Sequence, residues 1–226
     1  MKALRFLLII VCTLSLTGCA STKQADSDSS LGKAQQTLDS LYQHYSAKDS
    51  YLLRESYPFD EQHKVTYLAS ENQTNMPNQF SYLWPYSGTF SAVNALLEAT
   101  HDKKYQQLLD KRVLPGLEEY FDIQRTPNAY SSYIQTAPTS DRFYDDNVWL
   151  GIDFTDIYQI TQENRYLDKA QLIWKFIESG TDSLLGGGIY WCEQKKESKN
   201  TCSNAPGSVL ALKLFKATND SIYFRQ

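Results

Sequence analysis

Asp145 and Asp146 are adjacent in the stretch RFYDDNVWLGIDF, residues 142–154, with Tyr144 before them, Asn147 after them and an apolar run beginning at once. Neighbouring carboxylates repel, and two readings compete for them. One is helix capping: an Asp at a helix start accepts orphan backbone N–H groups, and the helix dipole favours its charge. One Asp is enough for a cap, so this reading leaves the second unexplained. The other is acid and nucleophile chemistry. Retaining cleavage of a glycosidic bond uses two carboxyls about 5–5.5 Å apart, one attacking the anomeric carbon and one protonating the leaving oxygen. Strand neighbours point to opposite faces. Helix neighbours diverge by about 100°, so two acids in a first turn reach one cavity. The helix end keeps one ionised, and that charge raises the pKa of the other and holds its proton. The two then titrate as a coupled pair.

A sugar site also needs flat apolar surfaces and a few polar groups. The segments FSYLWPYSGTF (80–90) and GGGIYWCEQ (186–194) place Trp84, Tyr86, Tyr190 and Trp191 in or beside expected loops. With Tyr144 and Asn147 these are the candidate substrate-binding residues; core packing is the alternative for the aromatics. Cys192 and Cys202 have nine residues between them and lie on either side of an excursion that one disulfide would staple in an exported protein. That spacing is not zinc-like, and His44, His63 and His101 are far apart in sequence, so neither metal nor cofactor is expected. A net charge of −4 leaves no basic surplus to neutralise phosphates, which argues against a nucleic-acid partner.

The elements that would position these residues read as helices. Apolar residues recur at helical spacing over 31–45, 88–100, 104–122 (with Pro115 as a break or kink), 146–161, 165–179 and 205–218. The second, fourth and sixth blocks are apolar or small all round, and so buried on every side; the partners after them are amphipathic. Three junctions repeat. LLEATHDKKY, IYQITQENRY and LFKATNDSIY each end a helix at Thr (Thr100, Thr161, Thr218), insert four residues and resume with Tyr (Tyr105, Tyr166, Tyr223), at separations of 61 and 57 residues. A period of this size signals stacked supersecondary units. Alternating inner and outer helices describe an all-α toroid of helical hairpins. A closed ring of six such hairpins needs roughly 360 residues, against 226 here. The expectation is an incomplete (α/α)6 toroid, about half of the barrel, forming the N-terminal part of a longer protein.

The chain opens with Lys2 and Arg5, an apolar run to Leu16, and Leu-Thr-Gly-Cys at 16–19. This is the pattern of a bacterial lipoprotein signal peptide over 1–18, with Gly18 admitting the peptidase and Cys19 receiving the lipid. The run is too short to span a bilayer. Residues 19–31 read as a flexible tether, and 32–226 as the partial toroid. No Asp follows Cys19, which favours an outer-membrane or cell-surface lipoprotein. A membrane contact through the lipid anchor and a monomeric state are expected.

The motifs YDDNVWLGIDFTDIYQIT, LLGGGIYWCEQ and KNTCSNAPGSVLALKLFKAT resemble bacterial glycoside hydrolase family 76, the endo-α-1,6-mannanases, from about residue 80 onward. The resemblance implies an (α/α)6 barrel, hydrolysis of the α-1,6-mannan backbone with retention, no metal, Asp145 as nucleophile and Asp146 as acid/base. It also agrees with a surface lipoprotein that meets a polysaccharide. The Cys pair around EQKKESKNT is not a feature of the family pattern. A surface glycan-binding lipoprotein without catalysis, and a related toroid enzyme such as an unsaturated glucuronyl hydrolase, are the alternatives.

Overall fold

The computed structural model describes residues 29–62 and 78–225. The leader, Cys19 and most of the expected tether lie outside the described residues, as does His63. In chain order the elements are α1 (Ser30–Tyr45), α2 (Leu83–Thr100), α3 (Lys103–Leu108), a π-helical turn (Leu109–Val113), α4 (Leu114–Glu118), β1 (Phe121–Asp122), β2 (Ala129–Tyr130), α5 (Tyr144–Thr161), α6 (Asn164–Ser179) and α7 (Thr201–Thr218). The two strands form one short antiparallel hairpin.

The alternation read from the sequence holds. In α6 the buried residues Tyr166, Ala170, Ile173, Trp174 and Ile177 form one stripe, the mark of an outer helix with a wet back. In α5 they run round the girth, from Tyr144 and Val148 through Leu150, Gly151 and Phe154 to Ile157. That helix packs against α2, α6 and α7 at once. Phe154 meets Phe90 of α2 edge-on at 4.9 Å, a pairing that adds about 0.5–1.5 kcal/mol to its burial. Against α7 the approach is closer: a Cβ on Gly151 would lie 2.6 Å from Leu210 Cδ2. The helices α2, α5 and α7 thus line the inside of an arc, and α1, α3–α4 and α6 lie outside: an all-α toroid of helical hairpins, incomplete.

The repeated junction is one structure built three times. Each Thr hydroxyl donates to the carbonyl four residues back, Thr100 to Leu96 at 2.6 Å, Thr161 to Ile157 at 2.8 Å and Thr218 to Leu214 at 2.8 Å. The same hydroxyls accept from the backbone N–H two residues on, at Asp102, Glu163 and Asp220. Between them His101, Gln162 and Asn219 take the left-handed conformation (φ 54°, 60° and 57°) and close the helix ends. Tyr105, Tyr166 and Tyr223 are then buried. Each hydroxyl reaches the outer helix one hairpin back: Tyr105 accepts from Gln35, Tyr166 donates to Asp110 and Tyr223 accepts from Gln171.

Boundaries differ from the sequence reading: α2 and α5 start earlier, at Leu83 and Tyr144, and the block expected over 104–122 ends at Glu118, with β1 taking its last two residues. α1 starts at Ser30, its first turn capped by the Ser29 hydroxyl, so the expected tether ends two residues early. The kink expected at Pro115 takes the form of the π-helical turn just before it; lacking an N–H, Pro115 leaves the ladder to widen there. α7 starts at Thr201, not Ala205, and Pro206 lies inside it, near enough to the helix start to be accommodated.

Candidate active site

Asp145 and Asp146 are the second and third residues of α5, both partly buried. Phe143 occupies the N-cap and has no side-chain acceptor, so neither Asp is the N-cap residue. The helix end is instead tied to a distant loop: Tyr144 N–H donates to Trp191 O at 2.9 Å, and Phe143 bridges Cys192.

The two carboxyls have unlike surroundings. Asp145 Oδ2 accepts from the Trp191 indole N–H at 3.1 Å. Its Oδ1 is buried and takes no conventional hydrogen bond. Burial raises the Asp145 pKa, and the Cys202 thiol, the Trp191 indole and the backbone N–H groups of Asp146 and Asp145 pull it back part of the way. Asp146 has no such donors among the described residues: burial, followed by the charge of Asp145, holds it well above the usual carboxylate range. Structural buried carboxylates are hydrogen-bonded. A buried pair with one held oxygen and no donor on its second member is arranged for proton chemistry instead.

Trp191 stays in register through a buried ion-pair network that the sequence reading did not identify. Arg142 is fully buried and grips Glu193 through Nε (2.7 Å) and Nη2, while its Nη1 donates to Pro127 O at 2.8 Å and lies 3.8 Å from Asp122. Glu193 N–H donates back to Arg142 O at 3.0 Å. A second brace spans the Gly-rich loop. Asn204 accepts from Ile189 N–H and donates to Ile189 O, and Lys199 Nζ donates to Asp182 O, Asp182 Oδ1 and Gly186 O. Gly188, at φ +105°, leaves room for Asn204, whose Oδ1 would stand 2.4 Å from a Cβ there.

The remaining candidates separate. Trp84 projects from the first turn of α2, 63% exposed, and Trp191 is half-buried beside Asp145. The expected loop around 80–90 is helical from Leu83, and this takes Tyr86 out of any cleft: its ring is buried and its hydroxyl donates to Val113 O at 3.0 Å. Tyr144 is also core, stacked on Phe176 at 4.6 Å. Asn147 is fully buried, with its amide spent on backbone groups of Tyr130 and Phe143. Tyr190 is buried, with its hydroxyl donating to Asp182. These four are positioned to build the site's walls, not to meet a sugar. The disulfide considered for Cys192 and Cys202 is not formed. Cys192 is buried near Gln194, whereas Cys202 is exposed on the first turn of α7, beside Asp145. Lys199 and Asn204 staple the excursion in its place.

Fold and site together define an (α/α)6-type toroid, present as an arc, with paired carboxylates in the first turn of an inner helix. The chain belongs to glycoside hydrolase family 76: the family profile, described as Glycosyl hydrolase family 76, matches residues 57–226. Among solved structures it is similar to a family 76 mannosidase from Bacteroides thetaiotaomicron VPI-5482 (30% identity, TM-score 0.71, 86% of this chain and 50% of that one). A family 76 glycoside hydrolase from a bovine Bacteroides thetaiotaomicron strain is similar at 29% identity and TM-score 0.69, covering 88% of this chain and 40% of that one. The α-1,6-mannanase of Salegentibacter sp. HEL1_6 shares the fold at 24% identity and TM-score 0.61, covering 86% and 48%. The chain spans about half the length of these structures. A comparison with curated proteins finds no match.

Proposed function

We propose that the protein acts as a retaining, endo-acting glycoside hydrolase on the α-1,6-linked backbone of mannan. In this reading Asp145 attacks the anomeric carbon and Asp146 first protonates the leaving oxygen, then deprotonates the water that releases the sugar. The observation that carries it is the asymmetry of the pair: Asp145 has an oxygen held by Trp191, and Asp146 has no donor among the described residues and a raised pKa. Membership of family 76 and similarity to a family 76 mannosidase at 30% identity support the substrate class. The exposed indole of Trp84 is the proposed sugar platform. The leader and Cys19 support a lipid-anchored protein at the outer membrane or cell surface, working as a monomer.

The test is product formation. Incubated with α-1,6-mannan, the protein should release new reducing oligosaccharides of intermediate length. Asp146→Asn should lower the rate by about 10²–10⁴-fold, and Asp145→Asn should abolish turnover while glycan binding persists. Ordinary activity in either variant would refute the assigned roles. The exposed indole of Trp84 also fits a second reading, a surface glycan-binding lipoprotein without catalysis. It predicts binding with no new reducing ends from the unaltered protein.

A further inference from the structure

We propose that Trp191, together with the Cys202 thiol, is positioned to decide which aspartate is the nucleophile: the indole N–H donates to Asp145 at 3.1 Å, and Asp146 has no donor among the described residues. The inference rests on the catalytic reading above and deepens it. The two groups arrive from separate parts of the fold. Trp191 comes from the loop after α6, 46 residues from Asp145 in sequence, and Cys202 from the first turn of α7. Neither is held by chance packing. Trp191 is pinned at both backbone groups, its carbonyl by Tyr144 N–H at 2.9 Å and its N–H by Ser198 O at 3.1 Å. Its ring lies against Phe143 at 5.0 Å, and the Arg142–Glu193 pair locks the next turn of chain. Cys202 is fixed by α7, whose following turn is anchored through Asn204 to Ile189.

The chemistry follows from how coupled acids share a proton. A donor aimed at a carboxylate favours its charged form, and when two acids compete the proton resides on the one without donors. The polar groups that face Asp145 are Asp146 and the backbone N–H groups of Asp145 and Asp146 on its own helix, the Trp191 indole on the returning loop and the Cys202 thiol on α7. All the donors among these serve Asp145. The thiol is itself raised, by burial and then by the Asp145 charge, so it stays protonated and remains a donor near neutral pH. An indole able to stack on a sugar would also suit a platform, and the two roles separate by experiment.

Trp191→Phe keeps the flat ring and removes the N–H. Cys202→Ser keeps a donor, and Cys202→Ala removes it. Two readouts are taken on the full chain: the Asp145 carboxyl titration by carbon NMR, and kcat and KM against pH on an α-1,6-mannooligosaccharide. Loss of a hydrogen bond to a charged group should raise the Asp145 titration by about one to two pH units in Trp191→Phe. The acidic limb of the rate profile should move the same way, with KM changed less than about threefold. Cys202→Ala should shift the titration in the same direction by a smaller amount, and Cys202→Ser should match the unaltered protein. An Asp145 titration unmoved in both Trp191→Phe and Cys202→Ala overturns the inference, as does a rise in KM alone. Failure of the catalytic reading looks different: the unaltered protein would cleave nothing, while the carboxyl titration would still report the donors.

Discussion

One side chain, Asn147, closes both backbone hydrogen-bonding groups of Tyr130: Oδ1 accepts from Tyr130 N–H at 2.9 Å and Nδ2 donates to Tyr130 O at 2.9 Å. The residue following the aspartate pair therefore bolts the start of α5 to the β1–β2 hairpin. Asn147→Ala leaves a buried N–H and a buried C=O without partners, which costs about 3 kcal/mol. For a chain of this size the melting temperature should fall by roughly 6–12 °C, as read by calorimetry. A variant that melts normally and only binds glycan less well would return Asn147 to the substrate.

Deeper along α5, Asp153 is buried and accepts from the Ser91 hydroxyl at 2.8 Å; burial pushes its pKa up to about 7. Below about pH 4 the carboxyl is protonated in both folded and unfolded chains. Between there and about 7 only the folded chain keeps the proton, so each unit of rising pH removes up to about 1.4 kcal/mol of stability. Asp145 and Asp146, also raised, act in the same direction. Melting curves should therefore fall from pH 5 to pH 8. Asp153→Asn should flatten part of that slope and melt higher than the unaltered protein at pH 8. An unchanged slope would mean that Asp153 is ionised throughout.

Trp84 and Tyr86 are two residues apart and should behave oppositely. Truncating buried Tyr86 to Ala costs about 3–5 kcal/mol of core packing. Truncating exposed Trp84 to Ala should change stability by no more than about 0.5 kcal/mol, and should raise KM for mannan several-fold with kcat little altered. Equal losses of stability in the two variants would contradict the placement of α2.

Cys202 is exposed and Cys192 buried, both unpaired. Burial raises both thiols, so alkylation should be slow near neutral pH and speed up on the alkaline side of the usual thiol range. Peptide mapping after iodoacetamide should find Cys202 modified well ahead of Cys192, with loss of hydrolysis tracking that modification. A peptide joining the two sulfurs would contradict the free state.

The hairpin architecture was legible because it depends on local pattern. Thr and Tyr five apart at three junctions, and helices apolar on one stripe or all round, report what neighbouring turns must bury. The Asp pair was legible because two acids exceed what a helix start needs. The supporting residues were not. Nothing near Arg142 in sequence announces Glu193, 51 residues on, since an ion pair across a loop leaves no periodic trace. Aromatics such as Tyr144 and Tyr190 could be read as platforms or as core, with core the commoner case, and only the path of the backbone separates them. The two cysteines invited pairing by their spacing, while the charge that the Cys202 thiol faces belongs to Asp145, 57 positions earlier.

The junction tyrosines have a mechanical consequence. Each hydroxyl fastens its hairpin to the outer helix of the one before, so successive hairpins are pinned on the outside by the tyrosines as well as packed on the inside through α2, α5 and α7. Curvature is therefore inherited step by step. Loss of the Tyr166 hydroxyl would free the outer edge of the α5–α6 hairpin from the hairpin before it, while the packing of the inner helices stays in place.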